Sequence, residues 1–183
     1  MVKFKKHETS IVETNQVDEG TSIWHHAHVR EGARIGKNCV IGKNAYVDIG
    51  VSIGNNVKIQ NNACVYSGTT VQDDVFIGPG VIFTNDLRPR AFLWDENRKG
   101  YITVGKGASL GAGVIVVCGT KQKPRVIGEY SMCGAGSIIT KDVPPHALII
   151  GNPGRVVGFV CICGEKISES DLSKCKTKCL HVK

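Results

Sequence analysis

Two groups of residues in this chain have the types and spacing to do chemistry. The stretch SIWHHAHV places His25, His26 and His28 within four residues, and the stretch FTN ends on Asn85. A histidine near its ordinary pKa serves as a general base at neutral pH. A side-chain amide works differently: it accepts from an amine and donates to an oxygen, so Asn85 suits positioning and stabilisation of a developing oxyanion. If the histidines share one strand, His26 and His28 face one way and His25 the other, so His28 is a candidate base and another ring is simply exposed. Arg90, Lys141 and Arg155 carry charges that suit phosphates or carboxylates. The plainer readings are an Asn85 that caps a turn and cations that are solvated.

A second cluster lies in the tail, CICGEKISESDLSKCKTKCLHVK, with Cys161, Cys163, Cys175, Cys179 and His181. Two cysteine pairs suggest zinc. The spacings C-x-C and C-x-x-x-C nevertheless depart from the paired C-x-x-C ribbon, and Cys161 to Cys175 is a short span of fourteen residues. The expectation is therefore no metal, with a decayed knuckle or thiols without metal. The other four cysteines, Cys39, Cys64, Cys118 and Cys133, stand among apolar residues and read as small packing groups.

These residues must be carried by some scaffold, and composition bounds it. With 183 residues, 42% hydrophobic and 21% charged, the chain suits one folded domain. No apolar run is long enough for a membrane span, and MVKFKKHETS is basic without the apolar stretch of a signal peptide, so a cytoplasmic protein is expected. A net charge of +7 fits an anionic partner. Aromatics are only 6% and do not interleave with basic residues, which argues against nucleic acid.

The architecture is written in a repeat of six. Ile11, Val17, Ile23, Val29, Ile35, Ile41, Val47, Ile53, Ile59, Val65, Val71 and Ile77 follow one another at that interval. A helix would scatter such residues around its surface. Two positions earlier stand small or β-branched residues such as Ala27, Ala33, Cys39 and Ala45, which share a strand face with the aliphatics. Glycines and asparagines fill the corners. The pattern predicts an all-β solenoid of short strands stacked coil on coil.

The repeat breaks twice. After Phe83 it resumes only at Val104, leaving a charged loop that carries Phe92, Trp94 and Tyr101 and suits a binding role or a protein contact. Between Val116 and Ile127 the interval is eleven, so Lys121, Gln122, Lys123, Pro124 and Arg125 are expected to bulge as a basic loop.

The hexads resemble the left-handed parallel β-helix of the hexapeptide acyltransferases, with three hexads to a triangular coil. TKDVPPHALIIGNPGRVVG resembles the ending of coenzyme-A-dependent members, with Gly154 where alanine is usual. SIWHHAHV, KIQNNACVYSGTTVQDDVFIGP and VIFTNDLRPRAF together resemble nucleotide-sugar N-acetyltransferases, particularly those making 2,3-diacetamido-2,3-dideoxyglucuronate. The resemblance covers roughly residues 10 to 160. The Lys121 to Val126 insertion and the cysteine tail depart from it.

Several expectations follow from that likeness. The implied activity is transfer of acetyl from acetyl-CoA to the amine of a nucleotide-linked aminosugar, with the C3 amine of UDP-2-acetamido-3-amino-2,3-dideoxyglucuronate favoured and a dTDP-3-amino-3,6-dideoxyhexose the alternative. Asn85 is implied beside the reacting amine and ranks above His28, because in such enzymes the departing thiolate can take the proton. Lys141 and Arg155 are implied near the phosphates of acetyl-CoA, and Ala112 is a further expected cofactor contact. Gln60, Asn62 and Tyr66 lie eighteen positions before Gly78 to Thr84 and are expected sugar or base contacts, together with Thr84 and Arg90. A homotrimer that shares its sites is implied.

Expected domains are a β-helix over 1–160, with its long loop at 84–103, and a tail over 161–183. Two other classes stay open on this fold: a zinc hydratase, disfavoured because no histidine stands between His28 and His146, and a non-catalytic structural prism.

Overall fold

The computed structural model describes residues 4–175 and 179. Its strands are mostly two residues long and pair in parallel with the strand one coil away, so that three sheets form the faces of a triangular prism. Face 1 includes Ser22–Ile23, Val40–Ile41, Lys58–Ile59, Phe76–Ile77, Ser109–Leu110 and Met132–Cys133. Face 2 includes His28–Val29, Tyr46–Val47, Cys64–Val65, Ile82–Phe83, Ile115–Val116 and Ile138–Ile139. Face 3 runs from Arg34–Ile35 through Ser52–Ile53, Thr69–Val71 and Ile102–Val104 to Arg125–Ile127.

The expected inward rows are the core. Ile23, Val29, Ile35, Ile41, Val47, Ile53, Ile59 and Val65 are buried, as are Ala27, Ala33, Cys39, Ala45 and Val51 two positions before five of them. Each buried aliphatic contributes about 1.5–3 kcal/mol, so the ladder is held by its interior. The corners explain the asparagines. His26, Asn38, Asn44, Asn56, Asn62 and Asp74 hold φ between +55° and +61° at intervals that are multiples of six, a conformation that asparagine and glycine adopt more cheaply than branched residues. Amide ladders lace these edges, as where Asn44 Nδ2 donates to Asn62 Oδ1 at 3.1 Å.

Two details differ from the sequence reading. Ile11 is 54% exposed, because Val12 pairs with Val29 and the first coil is one residue short. The strand in the histidine segment begins only at His28, and His26 is itself the left-handed corner residue, so strand alternation does not orient His25 and His26.

Ile82 and Ile115 are paired although thirty-three positions apart, and Ile115 pairs with Ile138 at twenty-three. Both insertions therefore leave the prism at the same edge, between faces 2 and 3. Their bases are tied by reciprocal backbone bonds between Tyr101 and Gly119, at 2.9 and 3.0 Å. Arg125 belongs to a face 3 strand, not to the bulge: its guanidinium donates to Asp142 Oδ1 at 3.0 Å and to the Val117 carbonyl at 3.1 Å. At the C-terminal end Arg155–Val160 turns back antiparallel on Ala147–Ile150, and Lys166–Ile167 pairs antiparallel with Phe159 and Val160. The tail strand thus extends the face 1 sheet.

Candidate active site

The edge between faces 2 and 3 assembles polar groups under the long loop. Val65 pairs with Phe83, which sets Tyr66 below Thr84 at the root of the loop. Thr84 is committed to structure, since its hydroxyl accepts the Cys118 N–H at 3.0 Å. Asn85 roots the loop through its backbone: its carbonyl accepts from Gly100 N at 2.8 Å. Gly100 cannot carry a side chain there, because a Cβ would lie 2.1 Å from Cys118 Sγ. The half-buried Asn85 amide makes no side-chain hydrogen bond among the described residues, leaving its donors and acceptor for another molecule.

Below it lies a network that the sequence reading missed. The buried Asp48 carboxylate accepts from Tyr46 Oη at 2.9 Å, Ile49 N at 2.8 Å and Ser67 N at 3.1 Å. Arg30 donates to Tyr46 Oη at 3.2 Å and chelates Glu31, with Nη2 to Oε1 at 2.8 Å and Nε to Oε2 at 2.9 Å. The Arg30 bond holds the Glu31 carboxyl down at about 2, and the Glu31 and Tyr46 bonds raise the Arg30 pKa. Burial pushes up the Tyr46 and Tyr66 phenols, keeping both as neutral donors. Residues 30, 48 and 66 recur at eighteen, so the coil period was the signal that could have found them.

His28 touches the lower end of this network, against Tyr46 and Glu13, and not the coil of Asn85. Its column runs His28, Tyr46, Cys64, Ile82, so three strand spacings of about 4.8 Å, roughly 14 Å, separate it from the coil of Asn85. Its ring meets Tyr46 edge-on at 5.6 Å, and Nε2 lies 3.4 Å from Glu13 Oε2. His25 stacks on His7 at 3.5 Å, and its pKa is lowered by desolvation in that contact and by the charges of His7, His26 and Lys43.

The other expected contacts divide between edges. Tyr66, Thr84 and Asn85 occupy the loop edge, and Arg90 lies in the loop, exposed, its guanidinium bonded only to the Pro89 carbonyl among the described residues. Gln60 and Asn62 lie one face away, between faces 1 and 2. Gln60 lines a cleft of about 260 Å³ with Trp24, His25 and Lys43, whereas Asn62 is held in the amide ladder. Lys141 and Arg155 do converge: both line a cleft of about 130 Å³ with Asp142, Gly154 and Val156. Ala112 lies elsewhere, exposed between faces 1 and 2, where its carbonyl accepts from Gly136 N. The loop tip presents Phe92, Leu93 and Trp94 at 85%, 44% and 54% exposure, an apolar patch suited to contact.

A prism with interruptions at one edge is the architecture of a class. Residues 32–67 match the family model described as hexapeptide repeat of succinyl-transferase, and residues 50–85 match that described as bacterial transferase hexapeptide (six repeats). The chain is 47% identical over 165 residues to the dTDP-3-amino-3,6-dideoxy-alpha-D-galactopyranose 3-N-acetyltransferase of Aneurinibacillus thermoaerophilus, covering 90% of this chain and 83% of that one. It therefore belongs to the hexapeptide-repeat acetyltransferases, whose fold is the left-handed parallel β-helix. A point mutant of GDP-perosamine N-acetyl transferase from Caulobacter crescentus, solved with CoA and GDP-perosamine, superposes with a TM-score of 0.60 at 20% identity. That match covers 85% of this chain and 58% of the other. A galactoside acetyltransferase in complex with coenzyme A gives 0.60 at 27%, covering 76% and 67%.

Proposed function

We propose that this protein acetylates the amine of a nucleotide-linked aminosugar with acetyl-CoA, and that the sugar is a dTDP-3-amino-3,6-dideoxyhexose. The 47% identity to an enzyme of that name, running through 90% of the chain, carries the reading. A match over 165 of 183 residues spans the loop edge and the C-terminal cleft as well as the regular coils, which supports carrying the activity over.

In this account the neutral amine attacks the thioester carbonyl, the new C–N bond forms, and collapse of the tetrahedral intermediate breaks C–S. The ammonium proton passes to the departing thiolate, giving coenzyme A. Asn85 orients the amine or donates to the oxyanion through its unengaged amide, and the Tyr46–Asp48–Ser67 network fixes the coil beneath it. The Lys141–Arg155 cleft takes the anionic part of acetyl-CoA. A homotrimer supports this arrangement, because one prism leaves the loop edge open and the apolar loop tip uncovered. The protein works in the cytoplasm, where acetyl-CoA is made; among the described residues no helix is long and apolar enough to cross a membrane.

The UDP-2-acetamido-3-amino-2,3-dideoxyglucuronate reading rests on local motifs and on Arg90 as a carboxylate partner; the dTDP reading rests on a longer match. A thiol-release assay with both sugars as acceptors separates them. Turnover of the dTDP-3-amino sugar is expected. Turnover of the UDP-aminoglucuronate alone would replace the sugar, and turnover of neither would remove the activity.

A further inference from the structure

The tail cysteines lie far from the loop edge, and no step of acetyl transfer uses them. Folding nevertheless gathers them. Cys161 Sγ is 2.8 Å from Cys175 Sγ and 3.8 Å from Cys179 Sγ, and the sulfurs of Cys161, Cys163 and Cys179 all lie within 4.8 Å of one another. The geometry points to a four-thiolate zinc site that locks the C-terminal tail onto the end of the prism.

Metal–sulfur bonds of about 2.3 Å in a tetrahedron put ligand sulfurs roughly 3.8 Å apart, the spacing of Cys161 and Cys179. A disulfide needs about 2.05 Å, and the Cys161 to Cys175 separation of 2.8 Å is well beyond it; Cys161, Cys163 and Cys179 form the preassembled trio, and Cys175 takes the fourth place by drawing back about 1 Å. The backbone supports thiolates as well. Gly164, at φ +92°, turns the chain so that its N–H reaches the Cys161 carbonyl at 2.8 Å, and Cys161 N donates to the Glu165 carbonyl at 2.8 Å. Ile162 N donates to Cys175 Sγ at 3.1 Å, the kind of outer bond that orients a sulfur ligand. Cys161 and Cys175 are buried, so two ligands come from the interior, while Cys163 is exposed and Cys179 half-buried.

An all-sulfur tetrahedral set suits zinc in a closed, structural role. Cys161 directly follows Val160, whose N–H and C=O both engage His146, at 2.8 Å to its carbonyl and 2.9 Å to its Nδ1. The metal would thus tie the segment ending at Cys175 and Cys179 to the last coil.

Metal analysis of the full-length chain, purified without chelator after growth in zinc-supplemented medium, should find about one zinc per chain. Cobalt in its place should give the intense thiolate charge-transfer and visible bands of a tetrahedral sulfur site. Cys163→Ser, an exposed change that spares the fold, should weaken zinc affinity by more than about tenfold. Stripping the metal from wild type should lower Tm. Metal-free protein with four titratable tail thiols would overturn the site, and so would a Cys161–Cys175 crosslinked peptide in protein kept from air. Unchanged zinc affinity in Cys163→Ser would overturn it as well.

Discussion

Ser67 donates its backbone N–H to the buried Asp48 carboxylate at 3.1 Å, two residues after the Val65 that pairs with Phe83 at the root of the long loop. The floor under the long loop is therefore pinned by a charge-assisted bond. Asp48→Ala strands the Ile49 and Ser67 donors and should cost about 2–4 kcal/mol in a denaturant titration. It should also lower kcat, because the platform under Asn85 loosens. Asp48→Asn keeps the shape and should lose less. An unchanged midpoint and kcat in Asp48→Ala would show that the network supports neither.

Lys141 and Arg155 share one cleft although fourteen positions separate them. If they hold the phosphates of acetyl-CoA, each alanine variant should raise KM for acetyl-CoA roughly tenfold with kcat nearly unchanged, and the effect should shrink at high salt. Steady-state kinetics at two ionic strengths checks this. A loss confined to kcat would move both residues to another role.

The Glu31 carboxyl titrates near 2 in the folded protein against an ordinary 4.5, because of its Arg30 bonds. A depressed folded pKa stabilises above the unfolded value, and that contribution is lost as pH falls from about 4.5 towards 2. Glu31→Gln should therefore be slightly less stable than wild type at pH 7, with the gap closing in that acidic window. Glu31 is exposed and Arg30 only half-buried, so the effect is small. Thermal unfolding across pH 2 to 7 reads it; a gap that widens on acidification would contradict the assignment.

What the sequence disclosed follows from the physics of the coil. A strict period of six fixes which side chains face inward, so the rungs from Ile23 to Ile77 are readable directly, and corner asparagines mark the turns. Ile11 escapes that reading because one missing residue in the first coil shifts the pattern to Val12, which no period reveals. Stacking at eighteen places Tyr66 under Thr84 correctly. The same rule says nothing of which edge a residue occupies, so it groups Gln60 and Asn62 with residues a full face away. The tail cysteines differ for another reason: spacing along the chain does not report distance once Gly164 and the Leu172–Cys175 turn fold it back.

The apolar tip of Phe92, Leu93 and Trp94 makes assembly measurable. Sedimentation at micromolar concentration should give a trimer, and Phe92→Ser with Trp94→Ser should shift it towards monomer. A stable, active monomer would contradict shared sites.

The central claim is that Asn85 acts at the reacting amine while His28, roughly 14 Å along the prism, does not. Single-turnover kinetics of Asn85→Ala and His28→Ala, with acetyl-CoA and the dTDP-3-amino sugar across pH 6 to 9, tests it most directly. Asn85→Ala should lose about 10²–10³-fold in the chemical step, the scale of one well-aimed donor, with no recovery at high pH. His28→Ala should stay within a few-fold of wild type. A folded Asn85→Ala enzyme with a near-normal rate, or a His28→Ala loss that recovers as pH rises, would contradict the account and make the histidine the base.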